Sequence, residues 1–553
     1  MNFRKLGQSC SAEPEGLYLL LISIHGLIRG SRLELGRDAD TGGQTLYVVE
    51  LARALAELPG VARVDLMTRR VVDIQVDGDY AQPVEALGPK SRIVRIDAGP
   101  EGYIRKEELW DYLDSFGDNA LAFLRAEGRL PNIVHSHYAD AGYVGTRLAH
   151  LLGVPLVYTG HSLGRVKRSR LLASGVDRDM IEDRYNMARR VEAEELTLGT
   201  AALVIASSAN EVDEQYGLYD QYQPGQMRVI PPGTDLNQFK PPDGSEQSTP
   251  IATQLARFLT DPARPMILAL SRPDERKNIA TLIQAYGESK DLQEVANLVV
   301  VAGNRDDIRD LDSGAQQVLS DLLLDIDRYD LYGRVAYPKH HQREDVCMLY
   351  RLVAASRGVF INPALTEPFG LTLIEAAASG LPIVATADGG PRDIVANCQN
   401  GFLVDPLDPG AIADTLLKLL RDRAMWSDFA QAGLLGVQQH YSWHAHAKAY
   451  LEAIRPLLAG QRPVQILQTV THRPMLYHDR AIYSALDRTL LGDTDSLAEL
   501  ITVIRQRRLD ASFGIATARS LSSALKVMRR YHIPVPDVLI TSMGGGNLLR
   551  AGV

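Results

Sequence analysis

The sequence predicts an α/β protein built mainly from two doubly wound parallel-sheet domains in series. Three observations carry that expectation. Short, nearly all-apolar runs alternate with longer helical patterns; the alternation is interrupted once by a Pro- and Gly-rich stretch; then it restarts. Runs apolar on both faces are what a parallel sheet needs when helices cover both of its sides.

In the first half the strand-like runs are "LYLLLISI" (17–24), "VDLMT" (64–68), "NIVHSH" (132–137), "PLVYTG" (155–160) and "ALVIASS" (202–208). Between the first two, "TLYVVELARALAEL" (45–58) places Val48, Leu51, Ala52, Leu55 and Leu58 on one helical stripe. The stretch "PPGTDLNQFKPPDGSEQSTP" (231–250) reads as a boundary loop. Alternation resumes with "MILALS" (266–271), "NLVVVAG" (297–303), "RVAYP" (334–338), "GVFINP" (358–363) and "PIVAT" (382–386). The division expected is 1–240, 241–440, a helical linker over 441–464 returning to the first domain, and a partial α/β segment over 465–553. Doubly wound sheets bind ligands beyond the carboxyl ends of their strands, so two facing domains imply a site in the cleft between them.

A chain of 553 residues is too long for one core. With 59 basic and 68 acidic residues the net charge is −9, which gives no reason to expect nucleic acid or an anionic membrane as partner. Cys10, Cys347 and Cys398 are scattered without metal-like spacing, which fits a reducing compartment. The N-terminus "MNFRKLGQSCSAEPEG" has no apolar signal region, and the longest apolar run is too short to span a bilayer. A soluble, cytoplasmic protein is expected.

The segment "ALTEPFGLTLIEAAASGLPIVATADGGP" (364–391) holds two acids eight positions apart around a Pro-Phe-Gly turn. Taken singly, its parts have structural explanations: Thr372-x-x-Glu375 reads as a capping box and Gly370 as a turn residue. Together they suggest more. A helix start after a Gly turn offers backbone N–H groups, from Gly370 to Leu373, that suit a phosphate. Glu375 can accept hydrogen bonds from ribose hydroxyls, Glu367 can meet sugar hydroxyls, and "DGGP" (388–391) lets a neighbouring loop approach closely. Upstream, "LSRPDERKNI" (270–279) sets Arg272 and Lys277 beyond a buried strand, where a merely solvated loop would not require them. "NRDD" (304–307) is the nearest approach to a metal-binding Asp-x-Asp and reads as a charged loop; no metal is expected.

In the first half, Gly42, Gly43 and Gln44 stand at a helix start, a placement a turn also explains. In "YTGHSLGRVKRSRL" (158–171), His161, Ser162, Arg165 and Lys167 follow a buried strand. A lone histidine is usually a core residue, but a Gly-His-Ser loop at a strand's carboxyl end favours a site. "DRYNMARRVEAEELTL" carries Arg184, Arg189 and Arg190 on a helix, where neighbouring glutamates can pair with them, and Lys106 adds a further cation. Several cations in an acidic protein suggest a phosphorylated ligand.

The 364–391 segment resembles the E-x7-E region of retaining glycosyltransferases of the GT-B fold. Together with "HSLGRVK", "ARRVEAEE", "EQYGLYDQY", "RVIPPGTD" and "YPKHHQREDV", it resembles the sucrose-phosphate synthase family from about Leu17 to about Leu457. The resemblance implies transfer of glucose from UDP-glucose to fructose 6-phosphate in sucrose synthesis, with retention and with no cofactor beyond the donor. It implies an acceptor-binding first domain and a nucleotide-sugar-binding second domain. Arg272 and Lys277 would hold the diphosphate, and Glu367 and His161 the glucose. Glu375 would hold the ribose, and the backbone from Phe369 through Gly370 and Leu371 to Thr372 the sugar and phosphate. Gly43 would lie on the donor side and Gly42 and Gln44 on the acceptor side of their junction. Lys106, Ser162, Lys167 and Arg190 would hold the acceptor and its phosphate, with the choice between Arg189 and Arg190 open. A sucrose synthase using free fructose, a mannosyl-transferring relative and a non-catalytic sugar-nucleotide sensor are the alternatives.

The last segment resembles the start of a haloacid-dehalogenase-type sucrose-phosphate phosphatase, whose Asp-x-Asp-x-Thr motif here reads Ala485-Leu486-Asp487-Arg488-Thr489. Thr517 keeps a phosphate-binding second motif, while the later lysine and metal-binding acids are expected to be missing before Val553. Without the nucleophilic aspartate a phospho-aspartate mechanism cannot run. No phosphatase activity is expected, and a separate phosphatase is the implied partner.

Overall fold

The computed structural model describes residues 16–34, 37–38, 40–459, 481–506, 511–534, 536–541 and 546–549. Cys10 lies outside them. The chain divides into two compact units, Met1–Val464 and Gln465–Val553.

The first unit holds two sheets. One has eight strands: β1 (Leu17–Ile22), β2 (Val61–Arg69), β3 (Val84–Ala86), β4 (Ser91–Ile96), β5 (Ile133–His137), β6 (Leu156–Thr159), β7 (Leu203–Ala206) and β8 (Met227–Val229). Their order is β3-β4-β2-β1-β5-β6-β7-β8, and only β3 against β4 is antiparallel. The other has six parallel strands: β9 (Met266–Ser271), β10 (Asn297–Ala302), β11 (Val335–Ala336), β12 (Val359–Asn362), β13 (Ile383–Thr386) and β14 (Gly401–Val404), in the order β11-β10-β9-β12-β13-β14. Chain direction across each sheet reverses once, at β1/β5 and at β9/β12. Loops leave such a switch point in opposite directions and open a crevice there.

The predicted amphipathic helix forms over Gly43–Glu57 and buries Val48, Leu51, Ala52 and Leu55 completely. Burial of Val48, Leu51 and Leu55 stabilises the fold by about 2 kcal/mol each relative to exposure. The same apolar cluster includes Ala447, Tyr450 and Ile454, so the helix Trp443–Leu458 packs on the first sheet although it follows the second in sequence. The chain thus crosses between sheets twice, near Pro231 and near Tyr441. The crossings are tied: the Thr234 N–H donates to the Tyr441 carbonyl at 2.7 Å. Gly233 is required there, because a Cβ would stand 2.3 Å from the Trp443 nitrogen.

The second unit has a four-stranded sheet: β15 (Ala481–Ala485), β16 (Ser512–Ala516), β17 (Val538–Thr541) and an antiparallel β18 (Gly546–Leu549). Leu486, Leu497, Phe513, Ile515 and Met528 form its core. Among the described residues no helix is long and apolar enough to cross a membrane.

Candidate active site

The second sheet's switch point gathers the predicted donor residues. Arg272 and Lys277 lie on the loop after β9, and Glu367, Phe369 and Gly370 on the loop after β12. With Leu371, Thr372 and Asn362 they line a cavity of about 280 Å³. Lys277 Nζ is 2.7 Å from Glu367 Oε2, and Asn362 Nδ2 donates to the same oxygen at 3.0 Å. Asn278 holds the two loops in register. In a left-handed conformation (φ 55°), it donates from Nδ2 to the carbonyls of Pro363 (3.0 Å) and Pro406 (2.7 Å). Arg272 is exposed and, among the described residues, makes no ion pair, so its charge is available to a ligand.

The Gly-Gly pair works as the sequence suggests. Gly389 has φ 86°, and a Cβ on it would stand 2.3 Å from the Glu367 carbonyl oxygen. The Gly390 N–H donates to that oxygen at 2.9 Å. The capping-box reading of Thr372 and Glu375 is corrected. The helix spans Leu371–Ala378 with Gly370, at φ 100°, as its cap, and it has no side-chain cap bond. Glycine reaches the left-handed region without strain and starts the helix two residues before the threonine could. The run of free amides is also shorter than expected, because Leu373 N–H already donates to the Gly370 carbonyl at 3.0 Å. Those of Leu371 and Thr372, the first two of the helix, have no acceptor among the described residues. Glu375 sits one turn in, where it accepts from Tyr350 Oη at 3.1 Å, and burial raises its pKa to about 7.

The acceptor candidates gather beyond the first sheet. Gly42 caps the helix that begins at Gly43, and added Cβ atoms on either would meet nothing within 4 Å: the backbone faces open space. Gln44 Nε2 donates to Ser23 Oγ at 3.0 Å, after β1. Lys106 pairs with the buried Asp40, which also accepts from Tyr103 Oη at 2.8 Å. The predicted single arginine-bearing helix is broken at Asn186 (φ 48°), which leaves Arg184 on Arg178–Tyr185 and Arg189 and Arg190 on Met187–Thr200. Arg190 is buried. It pairs with Glu194 at 3.0 Å and donates to the Ser162 carbonyl at 2.7 Å. Arg189 is exposed and pairs with Asp111, away from the Ser162 loop.

Lys167 lies 3.7 Å from the centre of the Tyr185 ring. Among the described residues no carboxylate reaches ion-pair distance of it. Burial, and then the charges of Arg190 and Lys106, hold its pKa down at about 8. Arg190 and Lys106 are thus near Lys167, each paired with carboxylates of its own: Glu194 for Arg190, Asp40 and Glu107 for Lys106. His161, Ser162 and Lys167 line a cavity of about 460 Å³ together with Pro368 of the second sheet's loop, and Ser208 Oγ donates to the Pro368 carbonyl at 3.3 Å. The cleft is thus walled from both sides.

His161 adopts a left-handed conformation (φ 56°) that non-glycine residues occupy only when held. Its Nε2 is 3.0 Å from His137 Nδ1, and its ring meets the Tyr47 ring edge-on at 4.8 Å. Tyr47 Oη is 3.1 Å from His446 Nε2, whose Nδ1 is bonded to the Pro231 carbonyl at the crossing between sheets. Burial, then the neighbouring His25 and His446, lower the His161 pKa to about 3, so the ring is neutral. Sequence reasoning missed Asn362, Asn278, Tyr47 and Asp40, all of which hold a predicted residue in place. "FINP" puts Asn362 at the end of β12 and "NIAT" puts Asn278 at the start of the helix Ile279–Glu288, the signals that could have found the asparagines.

In the second unit, Ala485 ends β15 and Asp487 follows it. Asp487 is bound by Arg519 at 2.6 and 2.8 Å and accepts from Thr517 Oγ1 at 3.1 Å.

Residues 41–238 match the family described as Glycosyltransferase Family 4, and residues 252–434 match Glycosyl transferases group 1. Residues 478–547 match Sucrose-6F-phosphate phosphohydrolase. The chain is 48% identical to a probable sucrose-phosphate synthase 1 of Oryza sativa subsp. indica over 82% of its length. It is 48% identical to the sucrose-phosphate synthase of Zea mays over 79%. The matches take in 48% and 47% of those proteins, so the chain spans about half the length of the curated relatives it matches. A solved sucrose-phosphate synthase from Thermosynechococcus elongatus superposes with a TM-score of 0.55 at 29% identity, covering 80% of this chain and all of that one. The catalytic domain of starch synthase IV from Arabidopsis thaliana, bound to ADP and acarbose, shares the fold at a TM-score of 0.55 and 17% identity, again over 80% of this chain and 100% of that one. The chain is a GT-B protein homologous to the sucrose-phosphate synthases, with a C-terminal unit related to sucrose-6F-phosphate phosphohydrolases.

Proposed function

We propose that the chain is a retaining hexosyltransferase that moves glucose from UDP-glucose to fructose 6-phosphate, yielding sucrose 6-phosphate and UDP. One observation carries the choice of acceptor: burial, and then the nearby charges of Arg190 and Lys106, hold the pKa of Lys167 down at about 8. A phosphate dianion relieves that repulsion; a neutral sugar does not.

On the donor side, Arg272, Lys277 and the amides of Leu371 and Thr372 receive the diphosphate. Glu367, released from Lys277, accepts from glucose hydroxyls, and Glu375 accepts from the ribose. Charge that builds on the leaving diphosphate meets cations already in place, a contribution of several kcal/mol to the transition state. His161, neutral and held by His137 and Tyr47, bonds a glucose hydroxyl without adding charge. Gly42, Gly43 and Gln44 bring backbone against the junction of the two sugars, and Ser162 assists the acceptor. Attack from the leaving-group face, with a diphosphate oxygen taking the acceptor proton, accounts for retention without a protein nucleophile. In this reading residues 1–240 bind the acceptor, 241–440 the donor, 441–464 return to the first domain, and 465–553 carry no phosphatase chemistry. A separate phosphatase then completes sucrose synthesis in the cytoplasm.

The test is product analysis by mass after incubation with UDP-glucose and either fructose 6-phosphate or fructose. A phosphorylated disaccharide formed with release of UDP supports the reading. Equal or better turnover of fructose replaces it with sucrose synthase.

A further inference from the structure

We propose that His446 is a positioning residue for the transfer: with Tyr47 it braces the His161 ring against the place where the chain crosses between the two sheets. The inference rests on the transferase reading above and deepens it, because it says what sets the histidine assigned to the donor glucose.

His446 lies near the start of the helix Trp443–Leu458, just after the second crossing, and is 1% exposed. Its Nδ1 is 2.7 Å from the carbonyl oxygen of Pro231, at the first crossing. A carbonyl can only accept, so Nδ1 carries the proton. Burial lowers the His446 pKa to about 4, so the ring is neutral and Nε2 keeps its lone pair. Tyr47 Oη, 3.1 Å from Nε2, is then the donor, although 399 residues separate the two in sequence. Two bonds of fixed direction thus join the helix Gly43–Glu57 to both crossings.

The Tyr47 ring is boxed by three others. It meets His161 edge-on at 4.8 Å, Trp443 at 5.2 Å and His446 at 5.4 Å. His161 needs such a wall. Its bond to His137, at 3.0 Å, fixes one ring nitrogen but leaves the ring free to tilt about that contact. At φ 56° its backbone sits in a costly region, so packing must hold it. The Tyr47 edge removes the tilt, and the hydroxyl bond to His446 keeps the Tyr47 ring from sliding.

The crossings are the other end of the brace. A change in the angle between the two sheets turns about Pro231–Thr234 and Tyr441–Trp443, which the Thr234–Tyr441 bond ties together. His446 and Trp443 move with those segments, and both touch Tyr47. His446 also lines a cavity of about 470 Å³ together with Pro231, Phe369 and Asp393, which leaves the sheets room to shift. Closing of the cleft and orientation of His161 are therefore coupled.

A purely structural brace would cost stability and leave the kinetics alone, and variants of the full chain separate the two. Tyr47→Phe keeps the ring and removes the hydroxyl. His446→Asn keeps a donor at the Nδ1 position, for Pro231, and removes Nε2. UDP release from UDP-glucose, with the acceptor that the wild type turns over, gives kcat and both KM values. Titration calorimetry gives the Kd for UDP, and Tm reads stability. The expected result is a fall of about tenfold in kcat for Y47F and for H446N, with the Kd for UDP changed by less than about twofold. The double variant Y47F/H446N is expected to be no slower than either single one, because both break the same bond. In the His161→Ala background Y47F is expected to add nothing, because the histidine it acts through is gone. If H161A releases no measurable UDP, affinity for UDP-glucose is compared in its place. Unchanged kcat in both single variants, losses that multiply in the double variant, or a full effect of Y47F in the H161A background overturns the proposal while the transferase reading stands. Should H446N fail to fold, Y47F with and without H161A decides alone. A wild type that transfers to no hexose or hexose phosphate overturns both readings.

Discussion

The two units place their charged groups in the same way and leave them in opposite states. In both, charged residues follow parallel strands at their carboxyl ends. In the first unit, among the described residues Arg272 and Lys167 make no ion pair, and Lys277 pairs with Glu367 at 2.7 Å. In the second, the exposed Asp487 is paired with Arg519 and accepts from Thr517 Oγ1, and the position two before it is Ala485. A core of Leu486, Phe513, Ile515 and Met528 keeps the second sheet folded whatever those polar residues are. Packing and chemistry are separately encoded, so such a core does not depend on which polar residues follow its strands. Arg272 and Lys167 can therefore offer charge to an anion, whereas Asp487 is already paired with Arg519.

The contrast is broken most severely at Lys277. Lys277→Ala should lower kcat by roughly 10²- to 10³-fold at saturating substrates, read by UDP release. A loss of less than tenfold would mean that the leaving group is not stabilised there. A smaller effect is expected at Glu375. Its raised pKa makes the folded chain favour the protonated acid, so its stabilising contribution is present at low pH and is lost as pH rises through about 7. Ribose hydroxyls need the carboxylate as acceptor, so the sign for donor binding is the reverse. UDP-glucose affinity should rise by up to about tenfold between pH 6 and pH 8 in wild type relative to Glu375→Gln. Titration calorimetry of both proteins checks this, and parallel profiles would remove Glu375 from the donor site. The smallest effect expected is at Ala485. Ala485→Asp alone should release no phosphate from sucrose 6-phosphate, because Arg519 still occupies Asp487. Phosphate release by the unaltered chain would show the second site to be intact.

The strands buried on both faces were legible because apolar runs leave no other reading. The strands β3, β4, β8, β14, β17 and β18 were not. In β4, Arg92 and Arg95 interrupt the apolar pattern, and their partners Asp65 and Glu85 are distant or on another strand. The short strand Val84–Ala86 is exposed at the sheet edge and has no pattern to show. At the donor site the two loops were readable because each is continuous in sequence. The capping box failed because Gly370 could start the helix earlier than Thr372. The pairing of Tyr47 with His446 was illegible for a plain reason: 399 residues separate them, and only the packing of the helix Trp443–Leu458 on the first sheet brings them together. Arg189 and Arg190 could not be told apart by type; the left-handed turn at Asn186 sets which one is buried.

The central claim is that the crowded cations select a phosphorylated acceptor. The most direct measurement is the ratio of kcat/KM for fructose 6-phosphate to that for fructose, in wild type and in Lys167→Ala. The account predicts a ratio of at least roughly 10² in wild type, falling by about tenfold or more in the variant, with turnover of fructose little changed. A wild-type ratio near one, or a ratio that Lys167→Ala leaves untouched, would contradict it.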